Sequence, residues 1–175
     1  MSRKAKTPKK TNPLIDESQL DQPLPPETAT LPKSTPKAAD PTDGYTLLIE
    51  NGKALKLSPK TKNHVFFQLA QKQDDQKLYL RMSGNENGGL FSKEWINVDA
   101  LFELLDENKD KTIKSTVLKS LFKGGSANNC GFLAAVLRCK DIGLLTQSEK
   151  SVFVHRLSDG YDKNKEKLLG MAKTA

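Results

Sequence analysis

Histidine and cysteine, the side chains that most often act as general bases, nucleophiles or metal ligands, are rare in this sequence. There are two histidines, His64 and His155, and two cysteines, Cys130 and Cys139. Neither histidine has a cysteine or a carboxylate near it at metal-ligand spacing. Cys130 is expected near a helix N-terminus, where the helix dipole lowers the pKa of a thiol, but no signature of a thiol enzyme surrounds it. We therefore expect a protein that is not an enzyme and that holds no metal and no other cofactor.

The glycine-rich segment SGNENGG, residues 83–89, is a second candidate for chemistry. It lacks the Gly-Lys-Ser/Thr ending of a P-loop, and its glycines do not match the dinucleotide-binding fingerprint. The carboxylates nearby, Glu86, Glu94 and Asp99, have no spacing that pairs them. The segment is predicted to be a long turn rather than a phosphate cradle.

The two cysteines lie nine residues apart within one predicted helix. At about 1.5 Å rise per residue, roughly 13 Å of helix axis separates them. A disulfide cannot span that distance, so reduced and largely buried thiols are expected.

Charge is distributed unevenly along the chain. There are 28 basic and 21 acidic residues, a net charge of +7. Residues 111–140 contain six basic residues and no acid, and residues 53–72 contain five lysines and no acid. Such asymmetry favours contact with a polyanion, nucleic acid above all, although residues 53–72 also fit a merely solvated lysine face.

The N-terminal segment differs in composition from the rest. Eight of the nine prolines fall in residues 1–41, and no aromatic residue precedes Tyr45. Such a segment cannot bury enough apolar surface to offset its ordering entropy. Residues 1–43 are therefore predicted to be a disordered tail, which serves either as a basic arm on phosphates or as a solubilising segment.

Hydropathy gives no sign of a membrane or of secretion. No stretch approaches the roughly 18 apolar residues of a membrane span. The basic N-terminus is not followed by the apolar stretch of a secretory signal. A cytoplasmic protein without membrane contact is expected.

Residues 44–175 are predicted to form one α+β domain. In its first part, residues 44–96, an apolar run at 45–49 meets Asn51-Gly52, the commonest two-residue hairpin turn, which predicts a β-hairpin over residues 45–58. Ser58 and Pro59 suit a helix start, and a helix to about residue 73 would bury the stripe Val65, Phe66, Leu69 and Ala70. Strands are predicted at residues 77–82 and 90–96.

The second part, residues 97–157, predicts three helices followed by a hairpin. Asn97 is the expected N-cap of the first helix. The second spans residues 113–122 and ends at Gly124-Gly125, and Ser126 caps the third, residues 127–141. Two apolar runs around a short polar turn, 142–146 and 152–157, predict the hairpin. A last helix is expected at residues 161–172, within a C-terminal part of residues 158–175.

Three helices followed directly by a hairpin is the element order of the winged helix-turn-helix superfamily. The stretch LAAVLRCKDIGLLTQSEKSVFVHRL, residues 133–157, resembles the recognition helix, the glycine-leucine entry and the wing of that superfamily. The resemblance covers residues 97–157. It implies that the third helix enters the major groove with its N-terminal residues nearest the base edges. The resemblance nominates Asn128 and Asn129 as residues that pair with adenine and Arg138 as a contact to phosphate or guanine, with Ser126 beside them at the start of the helix. The charge asymmetry of residues 111–140 independently predicts phosphate contacts from Lys111, Lys114, Lys119, Lys123, Arg138 and Lys140.

The leading hypothesis for function is therefore a DNA-binding protein with a regulatory role. The alternative is a non-catalytic adaptor or assembly subunit with the same fold, because the positions expected to be exposed on the third helix, Gly131, Ala134 and Ala135, are small or apolar. RNA binding through residues 53–72 is a third hypothesis. The expected partner is accordingly DNA, less readily RNA, or a protein, including a second copy of the chain.

Overall fold

The computed structural model describes residues 40–173, and these form an α+β fold, as predicted. The seven strands are β1 (Tyr45–Leu55), β2 (His64–Lys72), β3 (Leu78–Asn85), β4 (Ile96–Asn97), β5 (Ile113–Lys114), β6 (Leu145–Ser148) and β7 (Ser151–Leu157). The helices are α1 (Val98–Asp106), a 3₁₀ helix (Ser115–Leu121), α2 (Asn129–Arg138) and α3 (Tyr161–Lys173).

The predicted disordered tail, residues 1–43, lies outside the described residues except for its last four. Residues 40–43 form a turn in which the Asp40 carboxylate accepts hydrogen bonds from the backbone N–H and the hydroxyl of Thr42. These four residues, which the prediction placed in the tail, are therefore part of the described structure.

Strands β1 to β4 form an antiparallel sheet in chain order. The helix predicted over residues 59–73 is wrong, because most of that segment is strand β2. Val65, Phe67 and Leu69 are buried and alternate with the half-buried Phe66 and Gln68, which is the period of a strand with one face on the core. The apolar residues of this segment also fit a helical period, and the neighbouring strands β1 and β3 decide between the two by supplying backbone partners on both edges.

The predicted hairpin turn at Asn51-Gly52 is also wrong. Strand β1 continues through these residues, and two register shifts against β2, one of them between Ile49 and Gly52, absorb the irregularity. Gly52 is buried, and a Cβ at this position would lie 2.4 Å from the Phe67 ring. The actual connection between β1 and β2 is residues 56–63, closed by the Lys56 N–H donating to the Asn63 carbonyl at 2.9 Å.

Strand β3 confirms the strand predicted at residues 77–82 and extends it to Asn85. The strand predicted at 90–96 is wrong except for Ile96, which with Asn97 forms β4 and pairs with Leu80, while Asn97 pairs with Tyr79. Between β3 and β4 the glycine-rich segment turns, as predicted, with Asn87, Gly88 and Gly89 at positive φ. The chain from Leu90 to Trp95 has no regular structure and crosses to the second half of the molecule.

Helix α1 begins where predicted, with the Asn97 side chain accepting from the backbone N–H groups of Asp99 and Ala100. The predicted second helix is divided into strand β5 and the 3₁₀ helix. The predicted third helix is shorter than expected: α2 begins at Asn129 and ends at Arg138, and its N-cap, Asn128, makes no side-chain capping bond. Ser126 is therefore not the cap of this helix.

The predicted second hairpin is confirmed as β6 and β7, and the last predicted helix is confirmed as α3. Strand β7 also pairs with β5, so the second sheet has the order β5-β7-β6. Gly143 precedes the hairpin at positive φ, and its carbonyl accepts from Ser158 Oγ and Asn164 Nδ2. These bonds tie the hairpin entry to the start of α3.

One apolar core joins the two sheets, and α2 lies in its middle. This helix contacts β1 and β2 of the first sheet, β6 of the second and the 3₁₀ helix. All five residues from Leu133 to Leu137 are buried. No helix within residues 40–173 is long and apolar enough to cross a membrane.

Candidate functional site

The N-terminal end of α2, where base contacts are predicted, is covered by the segment that follows the glycine-rich turn. Ser126 Oγ and Asn128 Nδ2 both donate to the carbonyl of Leu90. The ring of Phe91 packs edge-on against that of Phe132, with their centroids 6.1 Å apart. The first turn of α2 therefore faces residues of its own chain.

Asn129, a predicted base-reading residue, is a buried structural residue. Its side chain is 1% exposed. Its Oδ1 accepts from the backbone N–H of Ser92 at 2.8 Å, and its Nδ2 donates to the carbonyl of Gly124 at 3.1 Å. Both polar groups of the amide are engaged inside the protein, and neither is free for a base edge.

The carboxylate of Glu94 binds the loop that precedes α2. It accepts from the backbone N–H groups of Lys123 and Gly124 at 3.1 and 3.2 Å and from Ser92 Oγ at 2.6 Å. Burial raises the pKa of this carboxyl, but the three hydrogen bonds outweigh it, and the net pKa lies below its usual value. Glu94 is thus ionised, and its hydrogen bonds join the segment before β4 to the loop before α2.

Arg138, predicted to contact phosphate or guanine, binds the β6–β7 hairpin instead. Its guanidinium donates to the carbonyl of Val152 at 3.1 Å and to Gln147 Oε1 at 2.8 Å. The side chain is half-buried, and burial lowers its pKa. Its charge remains, but its position is set by the hairpin.

The predicted phosphate-contacting lysines are all exposed. Within residues 40–173 none of them makes an ion pair. They are Lys111, Lys114, Lys119, Lys123 and Lys140. Of the predicted nucleic-acid residues, these five lysines are exposed, whereas Ser126, Asn128 and Arg138 are half-buried.

A groove runs along the outer side of α2, and we call it the α2 groove. It consists of two adjoining cavities of about 430 and 460 Å³. The β1–β2 connection forms one wall and strand β7 the other, and Lys56, Leu57 and Ser58 border both cavities. The first cavity is also lined by Lys114, Cys130, Gly131, Phe132, Phe153 and Val154. The second is also lined by Leu55, Lys62, Arg138, Cys139, Gln147 and Val152.

Two of the groove's apolar side chains are unusually accessible. Leu55 is 55% exposed and Phe153 is 50% exposed. Of the residues that the sequence nominated, Lys114, Asn128 and Arg138 line the groove, whereas Lys111, Lys119, Lys123, Ser126, Asn129 and Lys140 do not. Ala134 and Ala135, predicted to be exposed on the third helix, are 0% and 2% exposed.

Of the groove residues, Leu55, Leu57 and Phe153 were not nominated from the sequence. One signal was available. Successive side chains of a strand point to opposite faces, so the uninterrupted run Val152-Phe153-Val154 in a predicted strand places at least one large apolar side chain outward. The other residues come from segments that no local pattern connects.

A buried pair, Ser115 and His155, lies beneath the first cavity. Ser115 Oγ and His155 Nε2 are 2.8 Å apart, and His155 is 0% exposed. Burial, together with the charge of Arg138, lowers the pKa of His155 to about 4, so the imidazole is neutral at pH 7. His155 Nδ1 has no hydrogen-bond partner, so no carboxylate orients the ring as a catalytic triad requires.

The two thiols, Cys130 and Cys139, are free and line different cavities of the groove. Burial raises the pKa of both. The expected lowering of the Cys130 pKa by the helix dipole is therefore outweighed by desolvation, and both sulfurs are protonated at neutral pH.

Within residues 40–173 no three side chains of histidine, cysteine, aspartate or glutamate are grouped so as to hold a metal ion. Comparison of the chain with protein-family models, with curated protein sequences and with solved structures finds no match.

Proposed function

We propose that this protein is a non-catalytic interaction module whose α2 groove binds a segment of another protein. The observation that carries the proposal is the α2 groove itself, an open and largely apolar surface next to the central helix. Four large apolar side chains are exposed within residues 40–173, and two of them, Leu55 and Phe153, border this groove. Apolar surface gathered around a concave site is typical of a binding surface.

We further propose that residues 97–157 are a winged-helix-like unit used for this purpose. The element order α1, β5, 3₁₀ helix, α2, β6 and β7 supports it, as does the sheet order β5-β7-β6. Strands β1 and β2 pack on α2, and Leu90 covers its N-terminal end. These contacts argue against insertion of the N-terminal residues of α2 into a major groove, which is how DNA readers of this kind bind.

Site-specific photo-crosslinking in the full chain tests the proposal. A photoreactive phenylalanine derivative replaces Phe153, and the same group at Leu169, an exposed leucine of α3 outside the groove, is the control. The variants are expressed, and crosslinking is carried out, in cells of the organism from which the chain comes. The expected result is a discrete protein adduct from position 153 and none from position 169.

A second variant shows whether such an adduct depends on the groove. Gly131 lies in α2 on the groove floor, and a Cβ there would have no atom within 4 Å. The substitution Gly131→Leu therefore adds a Cβ without a clash and places an apolar side chain on the groove floor. It also removes a helical glycine, which by itself stabilises a helix by about 0.5–1 kcal/mol. The adduct must disappear in Gly131→Leu; an adduct that persists, or no adduct in either form, contradicts the proposal.

DNA binding is the second candidate, and the exposed, unpaired lysines of residues 111–123 favour it. Fluorescence anisotropy of the full chain with random duplex DNA at two salt concentrations tests it. If the lysines contact phosphates, Lys119→Glu with Lys123→Glu flattens the slope of log affinity against log salt by about 2, because each phosphate contact contributes about 0.9. The matched control, Lys163→Glu with Lys173→Glu in α3, makes the same change in net charge and should leave that slope nearly unchanged.

A further inference from the structure

We infer that the segment bound by the α2 groove is acidic and carries large apolar side chains. The inference rests on the proposed function and adds the chemistry of the partner. It follows from the charges around the groove, from the chemistry of its walls and from the one lysine that is fixed at its centre.

All the charged residues that line the groove are basic. Four cationic side chains border the two cavities, Lys56, Lys62, Lys114 and Arg138, and neither cavity is lined by an aspartate or a glutamate. Lys62 and Lys114 are exposed and make no ion pair within residues 40–173. A carboxylate near either lysine would gain a partner without displacing an existing one.

Lys56 holds a positive charge at the junction of the two cavities. Its ammonium donates to Asn85 Oδ1 at 3.0 Å and to the carbonyl of Glu86, both neutral acceptors. It also lies over the Phe132 ring, 4.9 Å from the centroid. The ammonium is held in place by neutral acceptors, and the carboxylate of Glu86 lies within ion-pair distance of Lys53 and His64 instead. Because the Lys56 side chain is already ordered, an acidic segment that binds near its charge does not have to pay for ordering this side chain.

Apolar side chains form the surface between these charges. Leu57, Phe132, Phe153 and Val154 line the first cavity, and Leu55 and Val152 line the second. Two adjoining apolar cavities suit two apolar anchor residues of a peptide, and carboxylates of the same peptide would then reach the lysines at the rim. Burial of the anchors supplies affinity, and the charges supply selectivity.

The same geometry favours a peptide over single-stranded nucleic acid. Base binding in an open groove depends on exposed aromatic faces on which bases stack. The Lys56 ammonium lies over the Phe132 ring, and the Phe91 ring packs against Phe132 in a T-shaped arrangement, so among the aromatic rings of the groove Phe153 is left for stacking. The groove is thus better suited to apolar side chains than to a run of bases.

Peptide selection on the full chain tests the inference without presupposing a sequence. A random library of peptides about four helical turns long is selected on the wild-type protein and depleted on Gly131→Leu. The expected survivors carry net negative charge together with two or more of leucine, phenylalanine, isoleucine and tryptophan. Survivors that are neutral or basic overturn the inference while leaving the groove as a protein-binding site. No enrichment that depends on Gly131 overturns both the inference and the proposed function.

Titration of a selected peptide then measures the charge contribution. Replacing its glutamates by glutamine, or introducing Lys62→Glu with Lys114→Glu, should each weaken binding about tenfold at low salt, and combining the two should cost little more. Gly170→Leu, the same change in α3 where a Cβ also has no atom within 4 Å, should bind like wild type. Equal affinity for the glutamate and glutamine peptides overturns the inference. Tight, Gly131-dependent binding of an oligothymidine in place of the peptide overturns it in favour of nucleic acid.

Discussion

The amide oxygen of Asn129 accepts a hydrogen bond from the backbone N–H of Ser92 at 2.8 Å, and this bond joins the segment after the first sheet to the first turn of α2. The two residues are 37 positions apart in the sequence. Asn129 is also bonded to Gly124, so a single buried side chain holds both the covering segment and the loop before the helix.

Asn129→Ala should lower the free energy of unfolding by about 1–3 kcal/mol, because it removes a buried amide and leaves the half-buried N–H of Ser92 and the carbonyl of Gly124 without this partner. Urea denaturation measures the change. Asn128→Ala, at the half-exposed neighbouring residue, is the matched control and should cost about 1 kcal/mol or less. Equal effects of the two substitutions would mean that Asn129 is accessible and free to bind a ligand.

The stability of the protein should depend on pH through His155. Its pKa in the folded state is about 4 against 6.5 when unfolded, so below pH 6.5 the unfolded chain binds a proton that the folded chain does not. Stability therefore falls as the pH drops from 6.5 to about 4. The linked change between pH 7 and pH 4.5 is about 2 kcal/mol.

His155→Gln removes this titration while keeping a group that can hydrogen-bond to Ser115. Denaturation midpoints of wild type and variant at pH 7 and pH 4.5 separate the histidine from the carboxylates, which titrate in both. The wild type should lose about 2 kcal/mol more than the variant. Parallel loss in the two proteins would show that the imidazole is not held neutral in the fold.

The path of β1 can be tested at Gly52. Because a Cβ here would lie 2.4 Å from the Phe67 ring, Gly52→Ala should lower the free energy of unfolding by about 2–3 kcal/mol. Phe67→Leu makes room for the new methyl group, so the two substitutions should couple by more than about 1 kcal/mol in a double-mutant cycle. Gly125→Ala, where a Cβ meets nothing within 4 Å, is the control.

The same cycle distinguishes a strand from a hairpin turn at Asn51-Gly52. In a turn, alanine at Gly52 would be strained by positive φ, and its cost would not depend on the side chain at position 67. Zero coupling would therefore contradict the continuous strand and support the turn.

Arg81 should resist replacement by lysine. It is 6% exposed, and its Nε donates to Gln68 Oε1 at 2.7 Å while Nη1 donates to the carbonyl of Pro41 at 3.3 Å. Its guanidinium also lies 4.7 Å from the Trp95 ring centroid. A lysine ammonium cannot reproduce this planar arrangement, so Arg81→Lys should cost about 1–2 kcal/mol in unfolding followed by Trp95 fluorescence.

Arg156→Lys provides the comparison for Arg81→Lys. Arg156 is exposed and pairs with Asp159 at 3.0 Å on the surface, where an ion pair contributes little. Its replacement should change the free energy of unfolding by less than about 0.5 kcal/mol. A comparable loss at both positions would mean that the contacts of Arg81 with Pro41 and Trp95 do not stabilise the start of the ordered chain.

Local signals were sufficient where an element is specified by its own residues. The cap at Asn97 with the apolar face behind it predicted α1, and two apolar runs around a polar turn predicted β6 and β7. The lysine-rich helix near the C-terminus was predicted in the same way. In each case the signal acts within a few residues, through a capping bond, a turn or a hydrophobic period, and the neighbouring elements did not override it.

Tertiary structure decided the elements whose local signals were ambiguous. Val65, Phe66, Leu69 and Ala70 fit a helical stripe, while Val65, Phe67 and Leu69 fit a strand with one buried face. The segment forms a strand because β1 and β3 satisfy the backbone hydrogen bonds of β2 on both edges. The Asn51-Gly52 pair, a strong turn signal on its own, was likewise overridden, because Gly52 pairs with Phe67 and the next residue, Lys53, pairs with Phe66.

The candidate site is determined almost entirely by tertiary contacts. Residue type and spacing were enough to predict that the lysines are exposed. They also gave the expectation that the chain has no catalytic or metal site. That Asn129 holds Ser92, and that Leu57, Phe132 and Phe153 border one groove, depends on contacts between residues far apart in the chain. No local period records such contacts, because they arise only when the first sheet packs against α2.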